Sequence, residues 1–259
     1  MADDGLVLRE SADGITRLTL NRPEHLNALS SDLKVAIVDA FLAAKEDEAT
    51  RVIILTGAGR GFCAGLDLKE LGTSGLGGGA HPSGIDLVAA VRGVGKPVIG
   101  AINGFAITGG FELALLCDIL VGSSEARFAD THVRMGVVPG WGLSQRLAQL
   151  IGASRAKELS FTGNYLTAEK AERWGLINDV TTPDELLPHC ERIAADIVSV
   201  NQSTLRTVRH LIDHGQEHSI AEGMGEEIRL GRENGNDLTP SALERRRLSV
   251  QERGRDLNR

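Results

Sequence analysis

The chain begins with two short runs rich in β-forming residues, 6–9 and 15–20, joined by SADG, and the Asp13-Gly14 pair inside that link is a hairpin signal. A β-hairpin is therefore expected at the start. After NRPEHLNALS, Ser30 or Ser31 is placed to cap a helix in which Leu33, Ile37, Val38, Phe41 and Leu42 recur at helical spacing. The pattern changes at 51–56, where VIIL is apolar at every position, as in a strand covered on both faces. The same alternation returns further on: PVIGAI at 97–102 reads as a strand, GGFELALLC as a helix and DILVG as a strand. This is an α/β arrangement. From about residue 183 the strand-like runs stop, and 184–198, 203–214, 218–232 and 240–252 all carry helical periodicity. Two regions are expected, a strand-containing core over 1–190 and a helical C-terminal region over 191–259. Between strand and helix patterns lies GTSGLGGGAHPSG, 72–84, whose glycine content predicts a mobile loop.

Composition narrows the function. With 259 residues and 42% hydrophobic positions the chain can build a full core. A net charge of -7 and a pI near 5.5 argue against a broad basic face, so no nucleic-acid partner is expected. The longest apolar runs, VIILT and FELALLC, fall well short of the roughly 20 residues that span a bilayer, and no membrane partner is expected. Cys63, Cys117 and Cys190 lie far apart without a CxxC, which fits reduced thiols in the cytoplasm, with Cys63 and Cys117 as packing residues. The N-terminus starts acidic and lacks the basic-then-apolar order of an export signal.

Two glycine-rich stretches carry candidate chemistry. Gly109 and Gly110 open an apolar helix, whose first N–H groups have no intrahelical acceptor and whose dipole presents its positive end. GAGRGFCAGLDLKE, 57–70, follows a buried strand with small residues that let a substrate approach the backbone. One N–H from each, aimed at one carbonyl oxygen, forms an oxyanion hole, worth roughly 10²- to 10³-fold in rate per donor. Nucleotide loops are absent: there is no GxxxxGK[ST], and GAGRGF ends on Phe62 where GxGxxG needs glycine. No metal site is expected either, because His210 and His214 lack the glutamate of HExxH between them. Glu112, inside the apolar helix, reads either as a carboxylate capping the Gly109 N–H or as a catalytic group.

Three motifs in order, RPEHLNAL, GRGFCAGLDLKE and the long run from KPVIGAINGFAITGGFELALLCDILVG to KAERWGLIND, resemble the enoyl-CoA hydratase/isomerase, or crotonase, superfamily over residues 6 to about 230. The resemblance implies a crotonase-like spiral of ββα units, with the C-terminal helices covering the site and contacting neighbouring subunits in a homotrimer or dimer of trimers. It implies an acyl-CoA thioester as substrate, with coenzyme A part of that substrate and no separate cofactor. The backbone N–H groups of Leu66 and Gly109 would be the two oxyanion donors. Ala64, Gly65, Asp67 and Leu68 would border the coenzyme A path, with Arg22, His25 and Lys69 near its phosphates. Residues 72–84, with Leu87, Val91, Trp141 and Leu143, are expected to help line the acyl pocket.

Glu112 matches the first catalytic glutamate of the hydratases, which favours the catalytic reading over the cap. The second glutamate is missing: FADTH places His132 at its position, and GVVPGWG just after fixes the register. Dienoyl isomerases and chlorobenzoyl-CoA dehalogenases resemble the chain too, but they carry aspartate where Gly140 stands. An imidazole with an unperturbed pKa of about 6.5 can exchange a proton near neutrality. His132 thus has two readings, a proton donor working with Glu112 or a pocket wall bonded to Asp130. The expected activity is addition of water to a 2-enoyl-CoA, the alternatives being another lyase or isomerase of the superfamily or an acyl-CoA-binding homologue with weak catalysis.

Overall fold

The structure, a computed structural model, describes residues 5–74, 81–236 and 238–257. It divides into two compact units, Met1–Val200 and Asn201–Arg259.

The first unit opens with the hairpin β1 (Val7–Ala12) and β2 (Ile15–Leu20), turned at Asp13 and Gly14 with φ of 52° and 84°. Positive φ at both central residues is what a tight type I′ turn requires. Helix α1 (Ser31–Glu46) follows, capped by Ser30, whose hydroxyl accepts from Leu33 N–H at 3.2 Å. The chain then runs through β3 (Val52–Gly57), β4 (Gly61–Cys63), α2 (Leu68–Ser74), α3 (Leu87–Arg92), β5 (Val98–Ile102), β6 (Phe105–Ile107) and α4 (Gly109–Leu115). It continues through β7 (Ile119–Ser123), β8 (Arg127–Ala129), α5 (His132–Met135), α6 (Leu143–Ile151), α7 (Ala153–Thr162), β9 (Leu166–Thr167), α8 (Ala168–Trp174), β10 (Asp179–Thr181) and α9 (Leu186–Ser199). Of the glycine-rich stretch expected to be a loop, 72–74 close α2, and 75–80 lie outside the described residues.

Six strands form one sheet in the order β1-β2-β3-β5-β7-β10, parallel except for the opening hairpin. The unbroken apolar runs are explained by what lies on either face. Side chains alternate along a strand, so Val52 and Ile54 of β3 and Ile99 and Ala101 of β5 point one way, against Leu186, Cys190 and Ala194 of α9. Ile53 and Leu55 point the other way, into the core shared with Leu33, Ile37 and Phe41 of α1. Both faces are covered, so VIIL is apolar at every position. The second sheet, β4-β6-β8-β9, consists of strands of two or three residues and carries the site. Cys63, Cys117 and Cys190 are buried and unpaired, and burial pushes the Cys63 and Cys190 thiols up to about 12.

The second unit holds α10 (Gln202–Glu217), α11 (Ile220–Asn236) and α12 (Pro240–Leu257). Asn201 caps α10 by accepting from Thr204 N–H, and Ser219 with Glu222 forms a reciprocal capping box at the start of α11. Here His210 Nε2 lies 3.1 Å from Glu226 Oε1, and His214 stacks on His218. No helix among the described residues is long and apolar enough to cross a membrane.

Candidate active site

The RPEHLNAL motif works first as a brace. Asn27 is fully buried; its Oδ1 accepts from Arg22 N–H, while its Nδ2 donates to the carbonyls of Ala58 and Gly61 at 3.0 and 2.7 Å. Arg22 donates to the Ala28 carbonyl at 2.6 Å and to Asp67 Oδ2 at 3.1 Å, tying this turn to the loop after β4. Burial works against the Asp67 charge, but the Arg22 guanidinium and the Lys69 and Glu70 amides hold its carboxyl below the usual range.

That loop is built to leave one amide unused. Ala64 N–H donates to Leu26 O, Leu29 N–H donates to Gly65 O, and Asp67 N–H donates to Leu29 O. These bonds bracket Leu66, whose own N–H has no acceptor among the described residues. Gly65 has φ of 93°, and a Cβ there would sit 2.8 Å from the Ile107 carbonyl, so only glycine lets β6 pass this close.

The second amide comes from the β6–α4 junction. Thr108, at φ 52° and ψ −113°, bends the chain sharply; its N–H donates to Ala129 O and its hydroxyl bonds Thr131. Gly109 then starts α4 with an N–H that has no acceptor among the described residues. The two amides lie close together: a Cβ built on Gly65 would lie 3.4 Å from Gly109 N, and one built on Gly109 would lie 3.7 Å from Leu66 N.

Glu112 lies one turn into α4 and is 4% exposed. Its carboxylate does not fold back on Gly109. Oε1 accepts from Trp141 N–H at 2.7 Å and from Leu143 N–H at 3.5 Å, so the GVVPGWG segment closes over it. Oε2 lies 3.5 Å from His132 Nε2. Phe111 packs on Phe128 with ring centroids 5.4 Å apart, which sets α4 against β8 and brings Glu112 to His132. Burial opposes a charge on His132, but hydrogen bonds to Asp130 and Glu112 outweigh it and raise the imidazole to about 9. The ring thus lies between the Asp130 and Glu112 side chains.

These groups surround one cavity of about 430 Å³. Of the residues expected from the sequence, Ala64, Leu66, Leu68, Gly109, Glu112, His132 and Trp141 line it. Gly65 and Asp67 shape the loop behind the wall, Arg22 is bonded to Asp67, and His25 and Lys69 are exposed outside it. Leu87, Val91 and Leu143, expected at the acyl pocket, belong to the packed core instead, because their faces of α3 and α6 turn toward buried neighbours. The sequence reading missed Lys34, Ile107, Met135, Val138 and Tyr165, which come to the wall from four separate parts of the chain. Gly140 also lines it, and a Cβ there would meet nothing within 4 Å.

The sequence model of the enoyl-CoA hydratase/isomerase family matches residues 10–240. The chain belongs to that family. It is 41% identical over 215 residues to a protein of Arabidopsis thaliana named probable enoyl-CoA hydratase 1, peroxisomal, with 83% of this chain and 81% of the relative covered. It is 36% identical to crotonyl-CoA hydratase of Syntrophomonas wolfei, covering 86% of this chain and 87% of the relative. The crystal structure of enoyl-CoA hydratase from Mycobacterium tuberculosis H37Rv superposes with a TM-score of 0.72 at 44% identity, covering 88% of this chain and 98% of that one. The fold is that of the crotonase enzymes.

Proposed function

We propose that the protein hydrates 2-enoyl-CoA thioesters, with Glu112 and His132 as the acid-base pair. The observation that carries this reading is the Glu112–His132 contact at 3.5 Å in a cavity that also receives the unpaired N–H groups of Leu66 and Gly109. The thioester oxygen accepts from those two amides, which draws electron density from the conjugated double bond. The Glu112 carboxylate takes a proton from water as its oxygen bonds to the β-carbon, and the negative charge moves to the thioester oxygen. His132 Nε2–H then protonates the α-carbon, and the enolate collapses to the 3-hydroxyacyl thioester. Water is consumed with no other reactant. The pair ends as a neutral carboxyl facing a neutral ring, and transfer of one proton across their contact restores the starting state.

The cavity wall is mainly apolar, with Ile107, Met135, Val138 and Trp141 available to an acyl chain. As part of the same reading we assign the protein to the cytoplasm, on its three unpaired thiols, and to a trimer or pair of trimers, on its family and on the exposed Ile212, Met224 and Ile228 of its C-terminal helices. The test of function is a panel of 2-enoyl-CoA thioesters of increasing chain length, read by mass. Addition of one water is expected for at least one of them, and no addition to any overturns the proposal. Light scattering in solution tests the assembly, and a monomer would overturn that part.

A further inference from the structure

Asp130 has no role in the scheme above, yet it is 1% exposed and sits two residues before the proton donor. Its Oδ1 accepts from His132 Nδ1–H at 2.6 Å and from the His132 backbone N–H at 3.2 Å. One oxygen thus grips both the ring and the main chain of the same residue, which fixes the ring's rotation as well as the proton on Nδ1. The carboxylate is anchored in turn: a Ser160 hydroxyl from α7 binds it, and it follows directly on β8, whose Ala129 carbonyl holds the Thr108 amide beside the oxyanion donors.

We propose that Asp130 is a positioning residue for His132: by holding Nδ1–H it turns the Nε2–H edge toward Glu112 and the substrate and keeps the ring doubly protonated between turnovers. This rests on the proposed hydration. A neutral imidazole with its proton on Nδ1 would present a bare lone pair to the α-carbon and could not protonate it, so the reaction as written requires a group that stabilises the second proton. Glu112 alone serves poorly in that role, because it gives up its negative charge when it takes the proton from water. Asp130 keeps its charge throughout. The groups facing the ring are Glu112 from α4 and Asp130 from the β8–α5 link, with Lys34 and Tyr165 on the same cavity wall; Arg134 of α5 is turned away to the Thr162 carbonyl.

The experiment combines ring titration with kinetics in Asp130→Asn. In the full-length protein, ¹⁵N chemical shifts of the His132 ring follow its two protons with pH and need no substrate. Asp130→Asn is expected to shift loss of the second proton to lower pH. It should also reduce kcat by roughly 10- to 100-fold, the scale for an outer partner of a functional histidine, with KM little changed. In a His132→Ala background the same substitution should add almost nothing, since a residue acting through His132 has nothing left to act on. An unmoved ring titration overturns the proposal, as does a full kcat loss that persists in the His132→Ala background. Failure of the unmutated protein to hydrate any enoyl-CoA overturns the functional reading instead, and is told apart because the ring titration is read without substrate. Should Asp130→Asn not fold, Asp130→Ser also removes the charge and must move the titration in the same direction; no movement overturns the proposal.

Discussion

Replacing His132 by glutamine separates its two sequence readings. Glutamine retains polar atoms that can bond Asp130 or Glu112, so the buried carboxylates are not left facing a void, but it cannot release a proton. The ring is 5% exposed, with Nε2 3.5 Å from Glu112 Oε2, and bulk water is poorly placed to replace it as donor. Loss of a positioned acid costs roughly 10²- to 10⁴-fold in rate. At about 1.4 kcal/mol per decade this is about 3–5 kcal/mol of barrier. Because the proposed scheme assigns the thioester oxygen to the Leu66 and Gly109 amides, substrate binding is expected to be unchanged. The expected result in a steady-state assay, following loss of the conjugated thioester absorbance, is that kcat and kcat/KM fall together. A variant that keeps kcat within roughly a factor of three, or that loses only KM, refutes the proton-donor role and leaves His132 as a wall residue.

Further outcomes follow from the same geometry. Because the folded His132 pKa is raised from 6.5 to about 9, the ring contributes stability that is complete below pH 6.5 and is lost as pH rises through about 9. The melting-temperature advantage of the unmutated protein over His132→Gln should shrink across that window, and kcat should show an alkaline limb near its upper end; a pH-independent difference would contradict the assignment. Gly65→Ala puts a methyl 2.8 Å from the Ile107 carbonyl at φ 93° and beside the Gly109 amide. It should cost more than about 1 kcal/mol of stability by denaturant melts and lower kcat roughly 10²-fold or more by disturbing a donor. Ile54→Ala, fully buried between β3 and α9, should cost about 2–5 kcal/mol in urea unfolding without changing the kinetics of the folded fraction.

The large sheet was legible because each strand is long enough to carry a pattern. VIIL in β3 is apolar on both faces, and the structure covers both faces, with α1 and α9. Ser30 and Asp13-Gly14 were legible as local chemistry, a hydroxyl for an orphan amide and a pair tolerant of positive φ. The second sheet was not. Strands such as Gly61–Cys63 and Arg127–Ala129 are too short to show a period of two, and only pairing with distant segments defines them. At the site, the proposed oxyanion donors are backbone amides, invisible to any reading of side chains, and the glycines around them carried the signal together with the motif resemblance. Arg22 and Asp67 show the opposite limit. A charge near a glycine loop suggests a phosphate, but the two are 45 positions apart and nothing in the spacing announces that they bond each other. Asp130 and His132, by contrast, are two apart, and their bond was foreseen as the pocket-wall reading of His132; the structure adds the Glu112 contact on the ring's other edge.

The central claim is that Glu112 and His132 carry out hydration in a cavity whose oxyanion donors are already in place. It is tested most directly by giving crotonyl-CoA to the unmutated protein and to Glu112→Gln, measuring binding by calorimetry and water addition by mass. The unmutated protein is expected to bind and convert the thioester, while Glu112→Gln binds with similar affinity and turns over roughly 10²- to 10⁴-fold more slowly. Tight binding by the unmutated protein with no added water, or equal turnover by both, would contradict the account.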